Sequence, residues 1–247
     1  MIRIVAALIL LSPLFCQAQT DQDKVYSMQI NRKKKEGKPF FFTIGAKIQP
    51  AVCWLGTTTD SVQSDGARAG FMYGLDMEFG ITPNIWIGLG VYHDIMGGNL
   101  RYISADTSGG TRITRHNHNF QYIEIPLSMK FKTNQFGRKK WNIWGKFGVS
   151  AGIHLTGQTK VTEEVTGTIL SEKHINTDNG FSLFRGSVLV GAGFEYSIIG
   201  RTRLIGGVLF NNGFTNIIKE DLNGKAPTPQ EDVGRLKYIE IVIGAMF

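Results

Sequence analysis

The final thirteen residues, Arg235 to Phe247 (RLKYIEIVIGAMF), constrain this chain more tightly than any other stretch. At period two, Ile239, Ile241, Ile243, Ala245 and Phe247 share one strand face. Tyr238, Glu240, Val242, Gly244 and Met246 share the other. Such a strand is long by the standard of soluble sheets, and one of its faces is apolar from end to end. A chain made of such strands must either stack that face on another layer or present it to lipid.

Seven more segments alternate in the same way, giving strands near 40–54, 67–80, 85–96, 119–132, 141–156, 182–197, 202–212 and 235–247. Each covers about 11–16 residues, where a tilted membrane strand needs roughly 9–11. In the second, Phe71, Tyr73, Leu75, Met77 and Phe79 oppose Met72, Gly74, Asp76, Glu78 and Gly80. In the sixth, Val188, Val190, Ala192, Phe194 and Tyr196 oppose Arg185, Ser187, Gly191, Gly193 and Glu195. The seventh is less regular, with Ile205 and Leu209 on its inner face. Long connections (55–66, 97–118, 157–181 and 213–234) alternate with short ones (81–84, 133–140 and 198–201). That alternation belongs to membrane barrels with long loops on one side and short turns on the other. An even strand number closes the sheet and leaves no backbone polar group facing lipid. The expected fold is all-β: an eight-stranded antiparallel up-and-down transmembrane β-barrel over 40–247, in the bacterial outer membrane, with both termini periplasmic.

Composition agrees. The chain has 30 Gly, 11% aromatic residues and only 7 Pro, and its mean hydropathy is −0.07. Barrels look this way because only alternate residues meet lipid. Residues 1–18 read as a cleaved signal peptide: Arg3, then an apolar run from Ile4 to Phe15, then the small-x-small site Cys16-Gln17-Ala18. The run is too short to cross a bilayer as a helix. Cleavage leaves Cys53 as the sole cysteine, which excludes a scaffold stapled by internal disulfides. Residues 19–39 read as a basic periplasmic leader. The net charge of +7 gathers partly in Asn31–Lys35 and Gly137–Lys140. In an exported chain such clusters suit solvated tails or anionic head groups, and no nucleic-acid partner is expected.

An eight-stranded barrel has room inside for side chains only. Glu78, Glu124, Glu195 and Glu240, with Asp76 on the same face, are therefore set against Lys47, Lys130, Lys146, Arg185 and Arg203 as a structural lumen network. Buried carboxylates require cations beside them. The individual pairings are not readable from sequence. An internal echo is: Tyr-Ile-Glu-Ile occurs at 122–125 and again at 238–241, each with Phe seven residues after Glu.

The run Tyr122-Ile-Glu-Ile-Pro-Leu127, followed by Lys130 and Phe131, resembles a segment of small outer-membrane barrels from Bacteroidota-type bacteria. These are grouped as PorT-like or "porin family" proteins. Ala18-Gln19 and Phe247 are similar to that family too. The resemblance implies an outer-membrane barrel, some of whose relatives serve type IX protein secretion. The terminal strand, through Tyr238, Ile239, Ile241, Ile243, Ala245 and Phe247, resembles the signal read by the barrel-assembly machinery. It implies that machinery and outer-membrane lipid as partners.

Three competitors remain. A lipocalin-type barrel binds lipophiles in an apolar interior, whereas the non-apolar face here is rich in Gly. A barrel enzyme would draw on His93, His116, His118, His154 or His174 with Ser150, Ser182 or Ser187, but no spacing establishes a nucleophile and its base. His116-Asn117-His118 lacks the further ligands of a metal site. The histidines are read as solvated loop residues, and no catalytic residue, metal or cofactor is expected. The long loops, with Glu163, Glu164, Glu172 and Asp178 in one and Glu220, Asp221, Glu231 and Asp232 in another, form the expected binding surface. The expected function is a non-enzymatic scaffold or binding protein, an accessory subunit of a secretion (type IX-like) or uptake complex. A narrow or gated channel is the alternative.

Overall fold

The computed structural model describes residues 41–57, 62–105, 111–136, 140–165, 168–176, 180–199, 202–218 and 234–247. The segments read from the sequence as signal peptide (1–18) and leader (19–39) lie outside them. Ten strands are described: β1 (Phe41–Gly56), β2 (Val62–Ser64), β3 (Arg68–Gly80), β4 (Ile85–Ala105), β5 (Thr111–Lys132), β6 (Trp141–Val165), β7 (Thr168–Asn176), β8 (Phe184–Ser197), β9 (Arg203–Gly213) and β10 (Arg235–Met246).

Eight of them close a ring. Each pairs antiparallel with its neighbours in the order β1-β3-β4-β5-β6-β8-β9-β10, and β10 returns to β1 from Gly56↔Arg235 to Gly45↔Met246. Closure satisfies the backbone ladder internally, which is the condition for crossing lipid with strands. The connection between β3 and β4 is tight: Thr82 Oγ1 accepts the Ile85 amide at 3.0 Å.

The outer face is an apolar belt. Leu75, Val91, Leu127, Phe147, Val190 and Ile241 are all about half exposed. On β5 the belt runs from Ile123 to Phe131, roughly 20–25 Å once rise and tilt are combined. Aromatic rings gather at the short-turn rim. Phe42 meets Phe79 at 5.1 Å, and Trp141 meets Tyr196 at 4.7 Å and Phe194 at 5.6 Å. Such rings suit the headgroup level, where an amphipathic side chain has both solvents within reach.

The segments expected as loops at 97–118 and 157–181 are largely strand. β4, β5 and β6 have 21, 22 and 25 residues. Beyond the belt they form a sheet extension, with β2 added to β4 and β7 added to β6. Two physical changes hide these strands from an apolar-alternation reading. First, the sense of alternation inverts. On β5, Phe120, His118 and His116 are buried, while Gln121, Asn119 and Asn117 face out. Second, the register shifts at Gln121/Tyr122: Tyr122 pairs His154 but Gln121 pairs Thr156, so Leu155 is an extra residue in β6. This bulge moves the inward set of β6 from even to odd numbers, from His154 to Gly157, Thr159 and Val161.

Inside the ring, an apolar cluster of Trp144, Ile205, Leu209, Val242 and Met246 fills the lower part. The irregular inner face of β9 is thereby explained: Ile205 and Leu209 belong to the same buried apolar cluster as the Trp144 indole. The indole also lies over Gly193 and Gly207, where any Cβ would collide with it. A second cluster, including Met72, Met96, Leu100, Phe120, Tyr122, Phe181, Ile217, Ile218 and Leu236, fills the upper part.

Candidate functional site

Between the turns and the upper cluster lies a charged lumen. Asp76, Glu78, Asp94, Glu124, Glu195 and Glu240 are buried there with Lys47, Lys130, Lys132, Lys146 and Arg185, and the Arg203 side chain reaches in from the rim at 14% exposure. Every one belongs to the inner face of a ring strand, so the pleat alone aims them at one another.

The lower tier is built around two carboxylates. Lys130 bonds Glu78 at 2.6 Å and also Glu195. Lys132 bridges the same pair at 3.1 Å to each. Arg203 reaches Glu195 at 3.4 Å, and its guanidinium also lies 5.3 Å from the Trp86 ring. Lys132 sits over the same indole at 4.1 Å. Lys47 pairs with Asp76 and stands 4.0 Å from Glu78.

The upper tier centres on Glu124. Arg185 donates to it at 2.6 Å and to Asn211 Oδ1 at 2.8 Å. The Tyr238 hydroxyl lies 3.0 Å from both Glu124 oxygens. Ser150 and Ser187 hydrogen-bond each other alongside. Buried ions are costly unless paired and further hydrogen-bonded. The Arg185–Glu124 pair has such support from Asn211 and Tyr238, whereas Asp76 Oδ1 has no hydrogen-bond partner among the described residues.

The structure joins most of the sequence-derived lumen residues and leaves two apart. Lys146 and Glu240 are buried but form no ion pair with a described residue. Lys146 stands in direct register with Lys130, a like charge on the next strand. Lys132, Asp94, Asn211 and Tyr238 belong to the lumen as well and were not among the residues expected to form its network. Lys132 sits at the very end of its strand, and the Tyr238 contact crosses the barrel. Of the terminal residues, Ile239, Ile241, Ile243 and Phe247 face outward and exposed, Ala245 is half-buried, and Tyr238 points into the lumen.

The histidines require a correction. His116, His118 and His154 are buried, not solvated. They form an aromatic cap with Phe120, Tyr122 and Phe181: His118 meets Phe181 at 5.5 Å, His154 meets Phe181 at 5.4 Å, and Tyr122 meets His154 at 5.1 Å. Inverted alternation put them inside the extension, where the sheet needs an apolar or aromatic core. His118 Nδ1 lies 2.9 Å from Thr159 Oγ1. Burial, with His116 and Arg68 nearby, pushes its pKa down to about 3, so it is neutral. Ile217 and Ile218 close the cap from the β9 side, held by Ser182 N to Ile217 O at 2.8 Å and Ile217 N to Gly234 O at 3.0 Å. Among the described residues, no group of three or more His, Cys, Asp or Glu is arranged to hold a metal ion. His174 alone matches the solvated reading, with its side chain 77% exposed. Of the acidic loop residues, Asp178 and 219–233 lie outside the described residues.

A closed eight-strand ring with a charged, filled interior and an apolar outer belt is a transmembrane β-barrel. The model of the family described as "Outer membrane protein beta-barrel domain" matches residues 40–219, and the chain belongs to that family. It is a bacterial outer-membrane β-barrel protein. No curated protein matches it in sequence. Solved structures similar to it include Neisserial surface protein A, at 13% identity over 85% of this chain and 98% of that one, with a TM-score of 0.43. OprG from Pseudomonas aeruginosa is similar at 11% identity over 83% and 95%, with a TM-score of 0.40. Ail of Yersinia pestis is similar at 12% identity over 85% and 100%, with a TM-score of 0.35.

Proposed function

We propose that this barrel is a non-enzymatic scaffold or binding protein whose working surface is the sheet extension of β2, β4, β5, β6 and β7. The observation that carries this reading is the contrast between its two halves. The lumen is packed with ion pairs and capped by aromatic rings, whereas the extension runs well past the apolar belt and shows a polar outer face. In this reading the long-strand end faces the cell exterior and both termini face the periplasm. The barrel sits among PorT-like proteins of Bacteroidota-type bacteria. It is assembled by the barrel-assembly machinery through its terminal strand, and it serves as an accessory subunit of a secretion (type IX-like) or uptake complex.

Single cysteines at exposed extension positions test the orientation, with Cys53 changed to Ser. Membrane-impermeant maleimide added to intact cells should label an Asn119→Cys variant. Labelling only after the outer membrane is opened would overturn the reading. The second reading is a gated channel. It draws on the two tiers of charged side chains in the lumen, and it requires Phe181, Ile217 and Ile218 to move. Discrete, reproducible conductance in planar bilayers would favour it.

A further inference from the structure

The outer face of the extension, the surface that the scaffold reading puts to work, carries a cleft of about 340 Å³. Asn99, Asn117, Asn119 and Gln158 line it, with Arg68 and Lys160. Their placement follows from the ladder. Asn99 faces Asn117 and Asn117 faces Lys160, so one row of polar side chains crosses β4, β5 and β6; beside it Asn119 faces Gln158, with Gly97 as its neighbour on β4.

Two features restrict what fits. The first is chemistry. A carboxamide offers two donors and an acceptor on one rigid plane, the complement of a hydroxyl-bearing ring. The side chains of Asn117, Asn119 and Gln158 make no hydrogen bond to another described residue, so their capacity is free. Lys160 is held by Glu172 at 2.6 Å, and the Arg68 guanidinium is fixed by the His118 carbonyl at 3.1 Å. That leaves a mainly neutral platform with one anchored cation at its edge. The second feature is position. The cleft begins just above the belt: Asn119 is four residues from Ile123 on the same outward face. Between them, Tyr73, His93 and Gln121 link along the rim at 3.0 and 3.1 Å. A ligand seated here is continuous with the lipid interface below it.

We infer that the cleft binds the saccharide headgroup of a glycolipid in the surrounding leaflet, its acyl chains lying along Ile123, Ile125 and Leu127. The carboxamides take the sugar hydroxyls, and Arg68 takes an acidic or phosphate substituent. This rests on the extension facing the exterior.

The test uses the full barrel in nanodiscs with three probes: lipopolysaccharide carrying its core saccharide, lipid A lacking it, and free core oligosaccharide. The core-bearing lipid should bind about tenfold or more tightly than lipid A, and N117A/Q158A should abolish that difference. The bulkier N117L/Q158L, checked for heat-modifiable mobility, should do the same. Equal binding of the two lipids by the wild type, or undiminished preference in N117A/Q158A, would overturn the site. Free oligosaccharide binding as tightly as the lipid would overturn the leaflet source. If maleimide labels Asn119→Cys from outside and the barrel still ignores the core, this inference alone falls. If labelling fails, the orientation falls first.

Discussion

The Tyr238 hydroxyl donates to the Glu124 carboxylate, 3.0 Å from each oxygen, across the full width of the barrel. β5 and β10 stand four places apart in an eight-strand ring, on opposite walls. These residues belong to the two Tyr-Ile-Glu-Ile copies, so the repeated motifs meet in the lumen. The relationship is one-sided: the Tyr122 hydroxyl has no hydrogen-bond partner among the described residues.

Removing either side of this contact has unequal consequences. Tyr238→Phe should cost about 1.5–3 kcal/mol, the loss of a hydrogen bond to a charged group. Glu124→Leu should cost more, about 3–5 kcal/mol, because it strands the Arg185 guanidinium in the lumen. Urea unfolding in liposomes measures both. Equal costs would mean that Arg185 finds another partner.

Facing can be tested at two outward positions. Val188→Arg puts a cation in the belt and should cost about 2–4 kcal/mol if near midplane. Gln158→Arg, outward but on the extension, should change stability by less than about 0.5 kcal/mol. Similar effects at the two sites would place the belt elsewhere.

The interior fit around Trp144 makes a compensation test. Gly207→Ala drives a methyl into the indole, Trp144 Cζ2 being the nearest atom to it, and should destabilise by about 1–3 kcal/mol. Combining it with Trp144→Leu should return part of that loss, a coupling that a double-mutant cycle reads directly. Simple additivity would mean the ring moves aside freely.

His118 lies beyond the belt and makes the extension sensitive to acid. Its folded pKa, about 3, is below the unfolded value near 6.5. Above pH 6.5 both states are neutral and nothing changes. As pH falls from 6.5 toward 3, the unfolded form takes up the proton first. Stability then drops by up to about 1.4 kcal/mol per pH unit. Hydrogen-exchange protection factors, with the intrinsic pH dependence of exchange divided out, should fall at 113–120 and 158–162 between pH 7 and pH 5 while those of the belt amides hold. Unchanged protection factors at 113–120 and 158–162 would remove His118 from that role.

Phe247 closes the ring at the backbone, its amide donating to Ile44 O at 2.8 Å and its carbonyl accepting from Ile44 N at 3.3 Å. Deleting it should lower the yield of assembled barrel in the outer membrane. Heat-modifiable gel mobility of membrane fractions reports this, and an unchanged yield would show that assembly does not read the terminal residue.

The belt was legible because lipid imposes one rule on every outward position, and residues such as Leu75, Val190 and Ile241 obey it within a few neighbours of sequence. The closed topology followed from counting long and short connections. The extension obeys another rule, with polar residues out and aromatic ones in. At Asn119 the pattern therefore looked like the end of a strand. Leu155 compounded the error by shifting phase. The pairings of the lumen were beyond reach for a different reason. Lys130 meets Glu195 across 65 positions of chain and Tyr238 meets Glu124 across 114, and nothing local encodes which inner residue arrives at the same height.

The extra residue at Leu155 has one more consequence. It is a seam at which a single continuous strand changes the solvent it is written for. Below it, substitutions are judged by lipid; above it, by water. Hairpins on the upper side can therefore lengthen, shorten or be exchanged by whole residue pairs without rewriting the wall beneath. Evolution, or a protein engineer, can vary the head of this molecule while leaving its hull untouched.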